Sequence, residues 1–106
     1  MPYSKYHAKK TEIDGFIFDS MAEARRYSEL KLLERAGEIK DLRLQPKFTC
    51  SVNGKIICHY IADFHYFDSQ TQSEKIEDVK GMKTPVYKLK KRLFEALYNQ
   101  TITEII

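Results

Sequence analysis

The sequence predicts an α/β fold of the mixed α+β kind, in which a central mixed β-sheet is flanked by helices. Capping signals and apolar repeats of helical period mark two helices, and short alternating apolar runs between turn residues mark the strands. The predicted order is a hairpin, a helix, a strand, a second hairpin, a strand, a helix and a last strand. A chain of 106 residues has the length of one domain, 1–106, and we expect its basic first segment, residues 1–10, to form a mobile arm.

The first predicted elements are a hairpin and a helix. Asp14-Gly15 is a favoured turn pair, so residues 11–18 are predicted to form the hairpin. Ser20 is a good N-cap, and Glu23 follows at the spacing of a capping box. The helix is predicted to end at Gly37. Its apolar stripe consists of Ala24, Tyr27, Leu30 and Leu33.

The middle of the chain predicts strands. Residues 39–44 alternate in polarity, and Asn53-Gly54 predicts a tight hairpin with arms at residues 48–52 and 55–68. The second arm is long, so we expect a bend or bulge within it. A polar loop at residues 69–73 separates it from a strand at residues 74–80.

The two cysteines lie on opposite arms of the second predicted hairpin. In the register that the turn sets, Cys50 faces Ile57 and Thr49 faces Cys58, so the thiols point to opposite sides of the hairpin. We therefore expect no disulfide, and the spacing fits no zinc pattern. Both thiols are interpreted as reduced and structural.

The last predicted elements are a helix and a strand. Thr84 is placed as an N-cap, with Pro85 at the first helical position. Residues 101–106 are predicted to be the final strand. The apolar positions of the helix fall on one side, namely Val86, Leu89, Leu93 and Leu97. Its charged positions lie largely away from them, namely Lys88, Lys91, Arg92 and Glu95.

The charge distribution indicates a polyanionic partner more clearly than the total does. The formal net charge is only +3, but positive charge collects at residues 5–10, at Arg25 and Arg26, and at residues 83–92. A basic surface around an acidic pocket is typical of proteins that cut a polyanion by metal chemistry. The sequence has no apolar run of the ~20 residues that span a membrane and does not start like a signal peptide, so we expect a cytoplasmic protein.

The candidate site rests on Asp63, Asp78 and Lys80. Asp63 lies in the most apolar predicted strand, where an acid needs a partner. Alternation puts Asp78 and Lys80 on one strand face. Shared hard oxygen ligands fit Mg²⁺ or Mn²⁺, and a lysine beside the metal can orient or deprotonate the attacking water. The alternatives are a water-facing carboxylate at Asp63 and an exposed ion pair between Asp78 and Lys80.

The sequence leaves alternatives for two further acids, Glu23 and Glu77. Glu23 either only caps its helix or also points toward the metal. Glu77 is placed on the strand face opposite Lys80, where we expect it to face solvent or to pair with a basic residue. The backbone carbonyl of Glu77 or of Val79 remains a candidate metal ligand.

Basic residues near this site are candidates for phosphate contact, with a solvated surface as the alternative. Tyr87 either stacks or hydrogen-bonds there, or simply packs. His65 shares a predicted face with Asp63, but a packed histidine is favoured. The assigned DNA-binding residues are Lys88, Lys91, Arg92, Lys83, Tyr87, Lys9 and Lys10.

The order of these motifs resembles the PD-(D/E)XK nuclease superfamily, most closely its small phage-encoded members. The pattern is an acid on a helix, an Asp at a strand end, an acid-x-Lys pair on the next strand and a basic helix. The matching segments are Phe18-Asp19-Ser20-Met21-Ala22-Glu23-Ala24-Arg25-Arg26-Tyr27, Leu44-Gln45-Pro46, Tyr60-Ile61-Ala62-Asp63-Phe64 and Glu77-Asp78-Val79-Lys80-Gly81.

The resemblance implies a restriction-endonuclease-like core and Mg²⁺-dependent hydrolysis of DNA. Asp63 and Asp78 would be the motif acids, Lys80 the motif lysine and Glu23 the helix acid that completes the metal site. Two positions depart from the pattern: Ala62 stands where the superfamily name has Pro, and Asp78 replaces the more frequent Glu, which leaves Glu77 as a stand-in.

The sequence therefore supports two hypotheses. The first is an endonuclease of phage or prophage DNA recombination, replication or processing in the host cytoplasm, acting on branched DNA such as Holliday junctions. Two symmetric cuts would then require a homodimer. The second is a non-catalytic module on the same fold that binds DNA or a protein partner.

Overall fold

The computed structural model describes residues 10–105, so Lys9 and the rest of the predicted arm except Lys10 lie outside the described part. The strands and helices are β1 Thr11–Ile13, β2 Phe16–Phe18, α1 Met21–Arg35, β3 Ile39–Leu44, β4 Lys47–Val52, β5 Lys55–Ile61, β6 Phe64–Asp68, β7 Ser73–Val79, α2 Pro85–Tyr98 and β8 Ile102–Ile105. This confirms the mixed α+β fold class. Neither described helix is long and apolar enough to span a membrane.

The central sheet has the strand order β3-β6-β7-β8. β6 pairs antiparallel with both β3 and β7, whereas β7 and β8 are parallel and joined through α2. β7, which carries Glu77 and Asp78 and directly precedes Lys80, is therefore an interior strand. Because both of its edges are paired, its side chains face packed layers above and below the sheet.

One core cluster lies on each face of this sheet. On the α1 face, Leu30 and Tyr27 pack against Phe64 of β6. On the α2 face, Phe94 packs with Ile76 and Ile102 of the sheet. The helices thus cover opposite faces of the strand that holds the candidate site.

The predicted helix starts are confirmed by their caps. The Oγ of Ser20 accepts from the N–H of Glu23 at 3.0 Å, and the Oγ1 of Thr84 accepts from the N–H of Tyr87 at 3.1 Å. Both oxygens satisfy N–H groups that a helix start leaves without partners. Past the end of α1, Gly37 has a φ of +80°, which a residue without Cβ adopts at little cost.

The β4–β5 hairpin forms around Asn53-Gly54 as predicted, but its predicted register is wrong. A bulge between Cys50 and Ser51 shifts the pairing, so Cys50 lies opposite Cys58 and not opposite Ile57. The two thiols are therefore cross-strand neighbours, and both are free. The turn residues fix the register only as far as the bulge, which inserts one extra residue into β5.

The predicted long arm at residues 55–68 is two strands in two different sheets. β5 pairs only with β4, whereas β6 pairs with β3 and β7. The chain leaves one sheet and enters the other at Ala62 and Asp63, so the expected bend is confirmed. Asp63 is consequently not in the middle of a strand, as its apolar neighbours suggested, but at the break between two strands.

The apolar stripe of α2 is mostly exposed. Phe94 is the buried residue of the helix and stacks on Tyr60 of β5, with ring centres 5.2 Å apart. Val86, Leu89 and Leu97 share a flank but are 63%, 66% and 42% exposed. The helix thus packs through its aromatic side chains and leaves an aliphatic flank uncovered.

Candidate metal centre

Asp63 is fixed by main-chain groups of its neighbours. Its N–H donates to the carbonyl of Glu77 at 3.0 Å, and its own carbonyl accepts from the N–H of Gln45 at 2.9 Å. Its carboxylate Oδ2 accepts from the N–H of Val79 at 2.7 Å. Side-chain and backbone atoms of Asp63 are therefore both held in place at the end of β7.

Glu23 lies against Asp63, with its side chain 6% exposed at the start of α1. The two carboxyl groups are close enough to hydrogen-bond to each other. Burial, and next the negative charge of Asp63, raise the pKa of Glu23 to about 7. Burial also raises the pKa of Asp63. Two adjacent, partly desolvated acids disfavour each other's ionised form, so a cation bound between them would be favoured.

Lys80 supplies a positive charge on the other side of this pair. Together with Glu23, Asp63 and Val79 it lines a cleft of about 370 Å³. Its Nζ lies 4.7 Å from the ring centre of Tyr87, so the ammonium group is positioned by a cation–π contact. The charge of Lys80 favours the ionised forms of both acids.

Asp78 lies next to the cleft but does not line it. Its side chain is fully buried on the α2 face, and the hydroxyl of Tyr60 donates to its Oδ2. Its Oδ1 is buried and has no hydrogen-bond partner among residues 10–105. Burial raises the pKa of Asp78 to about 6, against the opposing effects of Lys80 and of the N–H of Asp63. The side chain of Asp78 therefore does not converge with Asp63 and Lys80 as the sequence predicted, although its backbone adjoins them.

The donor chemistry of these residues fits a divalent cation. The donors are carboxylate oxygens, which Mg²⁺ and Mn²⁺ prefer, and one of them is the unpartnered Oδ1 of Asp78. Within residues 10–105, no three Asp, Glu, His or Cys side chains already stand in a metal-binding arrangement. Asp78 would have to turn from Tyr60 toward the cleft to join Glu23 and Asp63.

A family model described as "Protein of unknown function (DUF1064)" matches residues 3–106. The chain belongs to the DUF1064 family. Comparison with curated proteins and with solved structures gives no match. The family description states no activity, so the site itself carries the functional argument for this DUF1064 protein.

Glu77 of the DUF1064 chain is buried in an ion pair. Its side chain is on the α1 face and accepts from Nε and Nη2 of Arg26 at 2.8 and 2.7 Å. The hydroxyl of Tyr66 also donates to it. Pairing with a basic residue is confirmed, and exposure to solvent is wrong. Arg26 therefore belongs to this ion pair and not to an open basic surface.

Glu104 is the residue that the sequence interpretation missed. It lies beside Asp78 in the parallel register of β7 and β8. It contacts Lys83 Nζ at 2.9 Å and Lys91 Nζ at 3.6 Å, and it accepts from the Tyr87 hydroxyl at 2.8 Å. Hydrogen bonds from Lys83 and Tyr87 lower the pKa of Glu104 to about 2. Three of the assigned DNA-binding residues are therefore engaged by one carboxylate.

Other assigned residues are free or lie elsewhere. Lys88 and Arg92 are exposed on α2, and within residues 10–105 neither forms an ion pair. Lys10 is exposed just before β1. His65 packs on the α2 face, where its Nε2 lies 2.6 Å from Glu74 and its ring contacts Phe48. This contact supports a packed histidine in the DUF1064 fold.

Proposed function

We propose that this DUF1064 protein is a Mg²⁺-dependent DNA endonuclease. The observation that carries the proposal is the pair of adjacent carboxyl groups, of buried Glu23 and half-buried Asp63, with Lys80 in the same cleft. Placing two acids side by side in a desolvated site lowers the stability of a fold, and such pairs are typical of functional sites. Hydrolysis of a phosphodiester requires bound metal, a placed water and a nearby cationic side chain, and this set can provide them.

Four residues would hold the metal, which is Mg²⁺ with Mn²⁺ as a substitute. They are Glu23, Asp63, Asp78 and Val79 through its backbone carbonyl. The bound ion would neutralise charge that develops on the phosphate and would lower the pKa of a bound water. Val79 already fixes Asp63 through its N–H group, so the carboxylate needs little reorganisation. Lys80 would orient the attacking water or accept its proton.

The DNA backbone would lie along α2. Lys88 and Arg92 are free to contact phosphates directly, and Lys10 extends the basic surface. To contact a phosphate, Lys83, Tyr87 and Lys91 would have to give up their present contacts with Glu104. Lys9, outside the described residues, stays a proposed contact on sequence grounds. Phosphate contacts of this kind orient the duplex without selecting its sequence.

The proposed substrate is phage or prophage DNA undergoing recombination, replication or processing, including branched forms such as Holliday junctions. A junction needs two symmetric cuts, and therefore a homodimer. The exposed apolar flank of α2 supports this, since contiguous exposed apolar patches are typical of protein interfaces. Molecular mass in solution, measured for the wild type and for Leu89→Lys, tests the dimer: the variant should be monomeric.

The decisive experiment is cleavage of linear, flapped, nicked and four-way DNA in Mg²⁺. Asp63→Asn, Glu23→Gln and Lys80→Ala should each reduce the rate strongly. Asp41→Asn is the matched control, because Asp41 is exposed and its φ of +59° suits Asn equally well. Undiminished cleavage by Asp63→Asn would remove the basis of the proposal.

The alternative is a non-catalytic module that binds DNA or a protein. Calorimetric titration with Mg²⁺ and Mn²⁺ separates it from the nuclease. DNA affinity without metal binding would favour the module, whereas metal binding that Asp63→Asn abolishes would favour the nuclease.

A further inference from the structure

A second pocket adjoins the carboxylate pair. It has a volume of about 360 Å³ and shares Glu23 and Asp63 with the cleft that contains Lys80. Its remaining wall is largely apolar and includes Phe16, Ile17 and Leu44. The same two acids thus separate a polar cleft from an apolar pocket, an arrangement that the metal chemistry does not require.

Phe16 offers a rigid aromatic surface at this pocket. Its side chain is 47% exposed, and its ring centre lies 6.0 Å from that of Tyr27 and 6.5 Å from that of Phe18. The Tyr27 hydroxyl donates to Asp14 at 2.9 Å in the turn between β1 and β2. The hairpin that presents Phe16 is therefore tied to α1, and the ring of Phe16 packs on its neighbours while leaving part of its surface exposed.

Gln45 adds a polar group to the opposite part of the wall. Its φ of +51° is unusual for a residue with a Cβ. The hydrogen bond from its N–H to the carbonyl of Asp63 holds this conformation. Within residues 10–105 its side-chain amide has no hydrogen-bond partner, so its donors and its acceptor are available to a ligand.

We infer that this pocket binds an unpaired nucleobase of the DNA substrate, stacked on Phe16 and hydrogen-bonded to Gln45. The inference rests on the proposed function, whose substrate it narrows. A planar, neutral group with a polar edge matches an aromatic face and a side-chain amide, whereas the two acids disfavour an anion. One sugar links a base to its phosphate, so a base in this pocket comes with a phosphate near the adjoining cleft.

The pocket would select DNA by structure. A paired base is stacked on both faces and hydrogen-bonded at its edge, so it cannot lie on Phe16 without leaving the helix, which costs a few kcal/mol. A base in a flap, a gap, a bulge or an open junction has already lost its pairing. DNA with unpaired bases would therefore bind more tightly than fully paired DNA.

The test uses one duplex with a single bulged 2-aminopurine and its fully paired counterpart, with Ca²⁺ in place of Mg²⁺ to prevent cleavage. Wild type should prefer the bulged duplex. Phe16→Ala should weaken binding of bulged DNA by about five- to a hundredfold, the range for one base–aromatic contact, and should change binding of paired DNA less than about twofold. The 2-aminopurine fluorescence should fall on binding to wild type but not to Phe16→Ala.

Two further variants serve as controls for the role of the Phe16 ring. Phe16→Tyr keeps the aromatic face and should retain the preference, whereas Leu32→Ala removes a similarly exposed apolar side chain at the far end of α1 and should have no effect. Equal losses on both duplexes for Phe16→Ala, or unchanged fluorescence in the wild type, would overturn the inference alone. Absence of DNA binding by the wild type would overturn both the inference and the proposed function.

Discussion

Glu77 and Asp63 are hydrogen-bonded neighbours in the sheet, yet their side chains have opposite surroundings. Glu77 is 2% exposed and fully compensated, since Arg26 donates two hydrogen bonds to it and Tyr66 a third. The carboxylate of Asp63 has one main-chain donor and lies against Glu23, a second acid. The charge of Glu77 is thus neutralised within the fold by Arg26, whereas Asp63 has a second acid as its neighbour.

The two carboxylates thus differ in whether the fold itself supplies their compensating donors. A buried ion pair with satisfied hydrogen bonds is stable in itself, and removing one partner leaves a costly isolated charge. A pair of acids lowers stability and gains from an external cation. Substitutions around Glu77 should therefore mainly lower stability, and substitutions around Asp63 should mainly lower the proposed cleavage rate.

The largest expected effect is on the cleavage rate of Asp63→Asn. We expect a loss of about 10³-fold or more, because removal of one preorganised polar group at a reacting centre already costs about 10²–10³-fold. The free energy of unfolding should fall by less than about 1 kcal/mol, since the amide also relieves repulsion with Glu23. Single-turnover cleavage and urea unfolding measure the two. A large loss of stability would place Asp63 with Glu77 among the structural acids.

Arg26→Ala should show the reverse pattern. It leaves Glu77 buried without its cation, and we expect the free energy of unfolding to fall by about 3 kcal/mol. Urea unfolding measures the loss, and the double variant Arg26→Ala/Glu77→Gln should recover part of it. A double variant no more stable than Arg26→Ala would contradict the claim that an uncompensated charge is the cause.

Stability should decrease as pH rises from the ordinary 4.5 of glutamate to about 7, the raised pKa of Glu23. In this window the folded protein binds more protons than the unfolded chain, so folding is favoured at the acidic end and levels off above the folded-state pKa. The raised pKa values of Asp63 and Asp78 act in the same direction. We expect a decrease of about 3 kcal/mol from Glu23, measured by urea unfolding across this range.

Glu23→Gln is the control for this pH dependence, because the amide does not titrate. Its stability should vary less with pH and should exceed that of the wild type at about pH 8. Added Mg²⁺ should stabilise the wild type at that pH and stabilise Glu23→Gln less. Identical pH profiles for the two proteins would show that Glu23 is an ordinary capping residue.

The smallest expected effects concern two cations at α2, one without and one with a carboxylate partner. Arg92 is uncompensated, whereas Lys83 is paired with Glu104. Arg92→Ala should reduce the dependence of log Kd on log salt by about one phosphate contact, and Lys83→Ala should reduce it by less. DNA titrations at several salt concentrations measure both slopes. Equal slopes would mean that Lys83 leaves Glu104 without cost when DNA binds.

Local signals in the sequence predicted most of the fold. Ser20, Thr84 and Pro85 mark helix starts, and Asn53-Gly54 marks a hairpin, because each acts through groups only a few residues away. The bulge at Cys50 has no such signal in the residues around it. The exposure of the apolar flank of α2 also has no local signal. Phe94 and Tyr87 supply the core contact that an aliphatic stripe usually provides.

The sequence predicted that Asp63 and Lys80 lie together, and the structure places both at one cleft with Glu23, for which helix capping was the alternative. The sequence did not predict that Asp78 faces away from this cleft, toward Tyr60. That the cleft binds metal stays a prediction. The partners of Glu77 and the role of Glu104 depend on contacts between distant segments, and Arg26 and Glu77 are 51 residues apart. Alternation assigned Glu77 to the correct face, but on an interior strand both faces are buried.

The hydrogen bonds of Asp63 also have a consequence for the order in which the protein is made. Gln45, Asp63 and Val79 belong to separate segments, and only their joining fixes the carboxylate. Synthesis must pass Val79 and the sheet must form before the acids meet. A complete but unfolded chain therefore has the acidic residues but no site, which would keep an enzyme of the proposed kind silent until it has folded.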